Sequence, residues 1–179
     1  MEPGLHHARS LEWVVHGEVK GATRSGDPDF QKAYAWLREQ VGYDPVFLSV
    51  GQGDDALINT GYLSNFESPK PRSPHILFSY HDVPGTYADV HAWCAIIPKL
   101  ESGLSVDDED IERLFRPGRS AVDWHATAKD GEQVQLLAPS LYLPKADRIR
   151  APSVDAKDAL ERLGFSGVEV YVLDPSVAQ

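Results

Sequence analysis

Residues 27–42 constrain the fold more tightly than any other stretch of the sequence. Asp27 can cap open helix amides and Pro28 fits the first helical position. Phe30, Ala33, Tyr34, Leu37 and Val41 then recur at helical spacing until Gly42 stops the run. A helix is predicted there. Another is predicted from Ser10, with Leu11, Val14 and Val15 as its apolar face and Gly17 or Gly21 as its end. Two more start at Ser105, where Asp107 and Asp108 suit the positive end, and at Ser153, the latter ending before Gly164. Strands are predicted over 45–50, 75–80, 133–137 and 168–173, with shorter or weaker ones over 4–8, 141–143 and 147–150. Pro69, Pro71 and Pro74 make 67–74 a surface loop. Helices first and strands later do not form a regular βα alternation. The pattern implies one α+β domain over 1–179, with a mixed, largely antiparallel sheet and peripheral helices.

Charge and cysteine content then narrow the classes of function. Seventeen Lys and Arg stand against 27 Asp and Glu, a formal charge of -10. A surface of that sign repels phosphate backbones and argues against broad nucleic-acid binding. It leaves room for a local basic site, from Arg9, Lys20 and Arg24 or from Lys70 and Arg72, and for an acidic face that blocks a basic protein partner. The single cysteine, Cys94, can form neither an internal disulfide nor a thiolate metal site alone, which fits a reducing cytoplasm. No apolar run approaches the ~20 residues of a membrane span, and the opening residues lack the plan of a signal peptide. A cytoplasmic protein without membrane attachment is expected.

Familiar catalytic signatures are missing. The sequence holds no Gly-x-Ser-x-Gly elbow, no phosphate loop and no dinucleotide glycine fingerprint; Gly51-Gln52-Gly53-Asp54-Asp55 reads as a turn, because its acids would repel phosphate. His75, His81, Asp82, Asp89, His91 and Cys94 are dense enough to raise a metal site, but no spacing among them is diagnostic and none is expected to bind metal. Cys94, between Trp93 and Ala95-Ile96-Ile97, is expected to be a buried thiol.

Three blocks carry a resemblance. The first is Leu5-His6-His7-Ala8-Arg9-Ser10-Leu11-Glu12 with Gly17-Glu18-Val19-Lys20-Gly21. The second is Pro45-Val46-Phe47-Leu48-Ser49-Val50, followed by Thr60-Gly61-Tyr62-Leu63-Ser64 and His75-Ile76-Leu77-Phe78-Ser79. The third is Gly131-Glu132-Gln133-Val134-Gln135-Leu136-Leu137-Ala138-Pro139. In this order they resemble the ADP-ribosyltransferase superfamily, in its branch that opens on histidine and near its rifampicin-modifying members. The resemblance implies an ADP-ribosyltransferase-like fold in a small bacterial or phage-type protein. Its activity would be cleavage of the nicotinamide bond of NAD and transfer of ADP-ribose to an acceptor. His7 would orient the nicotinamide ribose, beside Arg9, and Ser49 would support the nicotinamide pocket. Glu132, the block's only carboxylate, would stabilise the positive charge that develops on the ribose. If Gln135 holds that place instead, the domain would bind the dinucleotide without transferring anything, since a glutamine cannot neutralise charge. Phe30 to Leu37 and Ala88 to Trp93 also show a looser likeness to an uncharacterised bacterial family, which implies no chemistry. The alternative from another class is a non-catalytic acidic protein, an inhibitor, immunity or anti-defence factor, that covers a basic partner.

Overall fold

The computed structural model describes residues 4–9, 11–15, 19–51, 75–115 and 134–171. The chain divides into two compact units interleaved in sequence. One takes Met1–Glu18, Gly51–Asp82 and Tyr142–Gln179, and the other Val19–Val50 and Val83–Leu141. Seven strands occur among the described residues, and every strand pairing given below is antiparallel but one. The expected α+β class with a mostly antiparallel arrangement is what the protein adopts.

The first unit contains β1 (Gly4–Arg9), α1 (Leu11–Val15), β3 (Ile76–Tyr80), β6 (Arg148–Ala151), α6 (Val154–Arg162) and β7 (Val168–Val170). Strand β3 lies between β1 and β6, antiparallel to both, and β7 continues parallel to β6 after the crossover through α6. Such a crossover is what a parallel neighbour requires. All five side chains of β3 are buried, so both of its faces are covered. Residues directly opposite one another share a face. Leu5 and His7 therefore lie with Tyr80 and Phe78, and His6 lies with Ser79. The Phe78 ring meets Phe165, just past α6, with centroids 5.9 Å apart, so α6 and its following turn cover that face. Ser153 caps α6 by accepting from the Ala156 amide, as its sequence position predicts.

The second unit contains α2 (Ala22–Ser25), α3 (Gln31–Val41), β2 (Val46–Gly51), β4 (Thr86–Asp89), α4 (Val90–Glu101), α5 (Asp108–Leu114) and β5 (Val134–Ala138). Strand β5 pairs antiparallel with β2 on one side and β4 on the other. The 27–42 reading holds in detail. Asp27 accepts from the Asp29 amide at 2.9 Å, Pro28–Phe30 forms a 3-10 turn, α3 follows, and Gly42 closes it at φ 85. That left-handed conformation is cheap only for glycine. One core cluster joins Ala33 and Leu37 of α3, Ala88 of β4, Trp93 and Ile96 of α4, Leu114 of α5 and Leu137 of β5. Glu101, at the end of α4, accepts from the Ala33 amide at 2.8 Å and so caps the first turn of α3 from outside.

Several expectations need correction. Helix α4 has no counterpart in the sequence reading. Pro98 stands inside the helix and removes the amide hydrogen bond that would reach the Cys94 carbonyl, yet the helix runs through it to Glu101 because Trp93 and Ile96 pack in the core; Asp89 caps the start by accepting from Ala92. Gly21 opens α2 rather than closing an earlier helix. Helix α5 is capped by Asp107, two residues later than Ser105, in a reciprocal capping box with Asp110 that satisfies two amides at once and places carboxylates at the positive end. Residues 141–143 form no strand, and a 3-10 turn stands at Leu143–Lys145. Cys94 is exposed rather than buried, because α4 turns Trp93 and Ile96 inward and leaves Cys94 on the outer side. The loop over 67–74 and the turn over 52–55 lie outside the described residues.

Helix phase gives a direct test. Ile96→Ala should cost ~2–5 kcal/mol in urea unfolding, and Cys94→Ala no more than ~0.5 kcal/mol. The native Cys94 thiol should react with a water-soluble reagent without unfolding. A protected thiol with a costly Cys94→Ala would reverse the phase.

Candidate functional site

The residues singled out in sequence fall on strands, and each unit brings two of the blocks together. In the first unit, β1 lies beside β3, so the opening histidines meet the strand that ends the second block. Both histidines are buried, each 6% exposed, on opposite faces. His7 stands opposite Phe78 on the face that also carries Leu5. With so little surface open, a ligand reaches its imidazole only by displacing cover. His6 stands opposite Ser79, and its Nδ1 lies 2.8 Å from the Ser79 hydroxyl in a buried hydrogen bond. The backbone of Arg9 belongs to β1, opposite Ile76, and its side chain lies outside the described residues.

In the second unit, Ser49 of β2 stands directly opposite Gln135 of β5, and Ala88 of β4 flanks Gln135 on its other side. Both polar side chains are half-buried. They lie on the face of Phe47, Leu137 and Ala88, which packs on α3, α4 and α5, at the polar end of an otherwise apolar surface. A hydroxyl and a carboxamide side by side offer donors and acceptors that match a carboxamide ligand, and they supply no charge. Glu132 lies outside the described residues, two positions before β5 begins.

The remaining candidates do not gather. Lys20 is half-buried, Arg24 is exposed in the last turn of α2, and Lys70 and Arg72 lie outside the described residues. Among the described residues, no three His, Cys, Asp or Glu side chains converge as metal ligands. His81 and His91 are exposed, and the His81 amide donates to Asp147 at 2.6 Å. A shallow depression of about 420 Å³ lies over α2 and α3, lined by Thr23, Gln31, Arg38 and Glu39 among others, and neither Ser49 nor Gln135 borders it. No described helix is long and apolar enough to cross a membrane.

Sequence reasoning assigned no role to three polar positions on which the fold relies. Ser79 is the only residue of β3 with a short aliphatic hydroxyl, and a lone serine in the apolar run Ile76–Tyr80 was the available signal. Arg150 is 4% exposed on the face that β3 turns toward His6, while its neighbour Arg148 holds Glu169 through two nitrogens at 2.5 and 3.2 Å. That hydrogen bond, more than the nearby charges, keeps the Glu169 carboxyl below its ordinary value. Asp44 is the third. Its Oδ1 accepts from the Thr23 amide at 2.8 Å and caps α2, whose own N-cap is Gly21. A Cβ at Gly21 would come within 2.4 Å of the Asp44 carboxyl carbon, so only glycine admits this cap.

No family model, no curated protein and no solved structure matches the chain.

The phenol of Tyr80, which donates to the Tyr142 carbonyl at 3.0 Å, is pushed well above its ordinary 10.0 by burial and then by the Asp147 carboxylate. The fold thus favours the neutral form. This contribution is complete below the unfolded value and is lost as pH rises through it toward the folded value. Wild type and Tyr80→Phe should give equal tyrosinate absorbance on alkaline titration for as long as both stay native. A difference that titrates near the ordinary value, without unfolding, would contradict this environment.

Proposed function

We propose that this chain is an NAD-using transferase of the ADP-ribosyl type, in which His7 and Ser49 hold NAD and Glu132 stabilises the positive charge that develops on the ribose as nicotinamide leaves. The observation that carries the reading is the pairing of Ser49 with Gln135, from two blocks far apart in sequence that the resemblance had singled out independently. Support also comes from β1 running beside β3, which pairs the histidine strand with the strand that closes the second block. NAD is the substrate, and its cleavage needs no further cofactor: the glycosidic bond breaks, nicotinamide leaves with the bonding electrons, and an acceptor nucleophile takes the ribose carbon and sheds a proton. Gln135 supplies polar contacts beside Ser49. Arg9, beside His7 in sequence, contributes to binding NAD. The protein is read as acting in the cytoplasm, where NAD is plentiful.

Released nicotinamide, followed by chromatography, tests the assignment. Wild type should consume NAD, and Glu132→Ala should reduce turnover by ~10²-fold or more. Ser49→Ala should act mainly on KM. Wild-type protein that neither consumes NAD nor gains thermal stability from it would end the reading. The formal charge of -10 favours one competitor, an acidic protein that covers a basic partner. It would show salt-sensitive association and indifference to His7→Ala.

A further inference from the structure

Strand β1 has an ambiguous pattern. Its side chains run Leu5, His6, His7, so the strand presents a histidine on each face, and a one-residue slip would exchange the two. In the observed register Leu5 faces Tyr80, His6 faces Ser79 and His7 faces Phe78. Slipped by one residue, His7 would stand opposite Ser79 and make the same kind of hydrogen bond that His6 makes now. His6 would then stand opposite Tyr80. The hydroxyl alone therefore cannot choose between the histidines. Leu5 can. It is 0% exposed, and the slip would carry it past the end of β3 to stand opposite His81, which is exposed. The two requirements act together: Ser79, 9% exposed inside an otherwise apolar strand, needs a hydrogen-bond partner, which the residue opposite it supplies in either register, and Leu5 decides which histidine that is.

We infer that Ser79 and Leu5 are positioning residues that fix the register of β1 and thereby present His7, not His6, on the Phe78 face. The histidine seen by a dinucleotide is then set by two side chains that need not touch it. The consequence for NAD rests on the proposed function, whereas the register itself does not.

Nuclear magnetic resonance on the full chain reads the register directly. Wild type should show one set of cross-strand contacts, Leu5 with Tyr80 and His7 with Phe78. Leu5→Ala should add a second set with His7 opposite Ser79, and Leu5→Val should do so more weakly if the alanine variant does not fold. In the same variants KM for NAD should rise several-fold with kcat little changed, because apparent affinity falls with the competent fraction while saturating NAD restores it. Ser79→Ala should broaden or double the His6 signals, and Ser79→Thr, which keeps the hydroxyl, should restore a single set. Unchanged single-register spectra in Leu5→Val and Leu5→Ala, with Ser79→Ala indistinguishable from Ser79→Thr, would overturn the inference. A wild type that ignores NAD would remove the proposed function and leave the register decided by the cross-strand contacts.

Discussion

Burial of β3 on both faces is the constraint on which the first unit depends. With Ile76, Leu77, Phe78, Ser79 and Tyr80 all out of water, neither flank can be a solvated surface. Each polar group brought against the strand must find a partner or cost about 1–3 kcal/mol. The His6–Ser79 hydrogen bond meets that demand on one face, and Tyr80 meets it on the other by donating to the Tyr142 carbonyl. Tyr171 adds a third tie, its hydroxyl donating to the His75 carbonyl at 2.6 Å where β3 begins. The strand that flanks the opening histidines is therefore held by specific hydrogen bonds as well as by apolar packing.

The second unit meets a comparable demand with helices. Tyr34 sits in a group of rings, 6.1 Å from Phe47 and 6.3 Å from both Phe30 and Trp93, which ties α3 to β2 and α4. Burial and then the Asp27 charge raise its phenol above the ordinary value, so the ring stays neutral in the core. The Tyr43 hydroxyl donates to the Leu137 carbonyl at 2.7 Å, a bond that anchors the turn after α3 to β5. On this frame Ser49 and Gln135 stand at the polar end of a helix-covered face, where a half-buried pair can hold a polar ligand group against an apolar wall.

How much of this was legible in sequence depended on whether the signal was local. Asp27, Pro28 and Gly42 act through their own backbone, so the boundaries of α3 could be read from them. Ser153 and Gly164 acted the same way for α6, the latter at φ 98. Helix α4 was hidden because its strongest local signal, Pro98, argues against a helix, while its support comes from packing on α3 through Trp93 and Ile96. The exposure of Cys94 followed from the same gap, since without the helical phase its apolar neighbours suggested burial. For the site, sequence could nominate His7, Ser49 and Gln135 but not the pairing of Ser49 with Gln135, because register depends on partners far away in the chain. Ser79 was visible as the lone serine of an apolar run, but its role, like that of Asp44, could not be read for the same reason. Each matters through a residue it meets only in the fold.

Titration of the isotopically labelled protein with NAD, followed by backbone amide shifts, tests the central claim most directly. The account predicts saturable shifts at His7 in β1 and at Ser49 and Gln135 in β2 and β5. Spectra that do not move, or that move only along the acidic first turn of α5 or over the depression on α2 and α3, would contradict it.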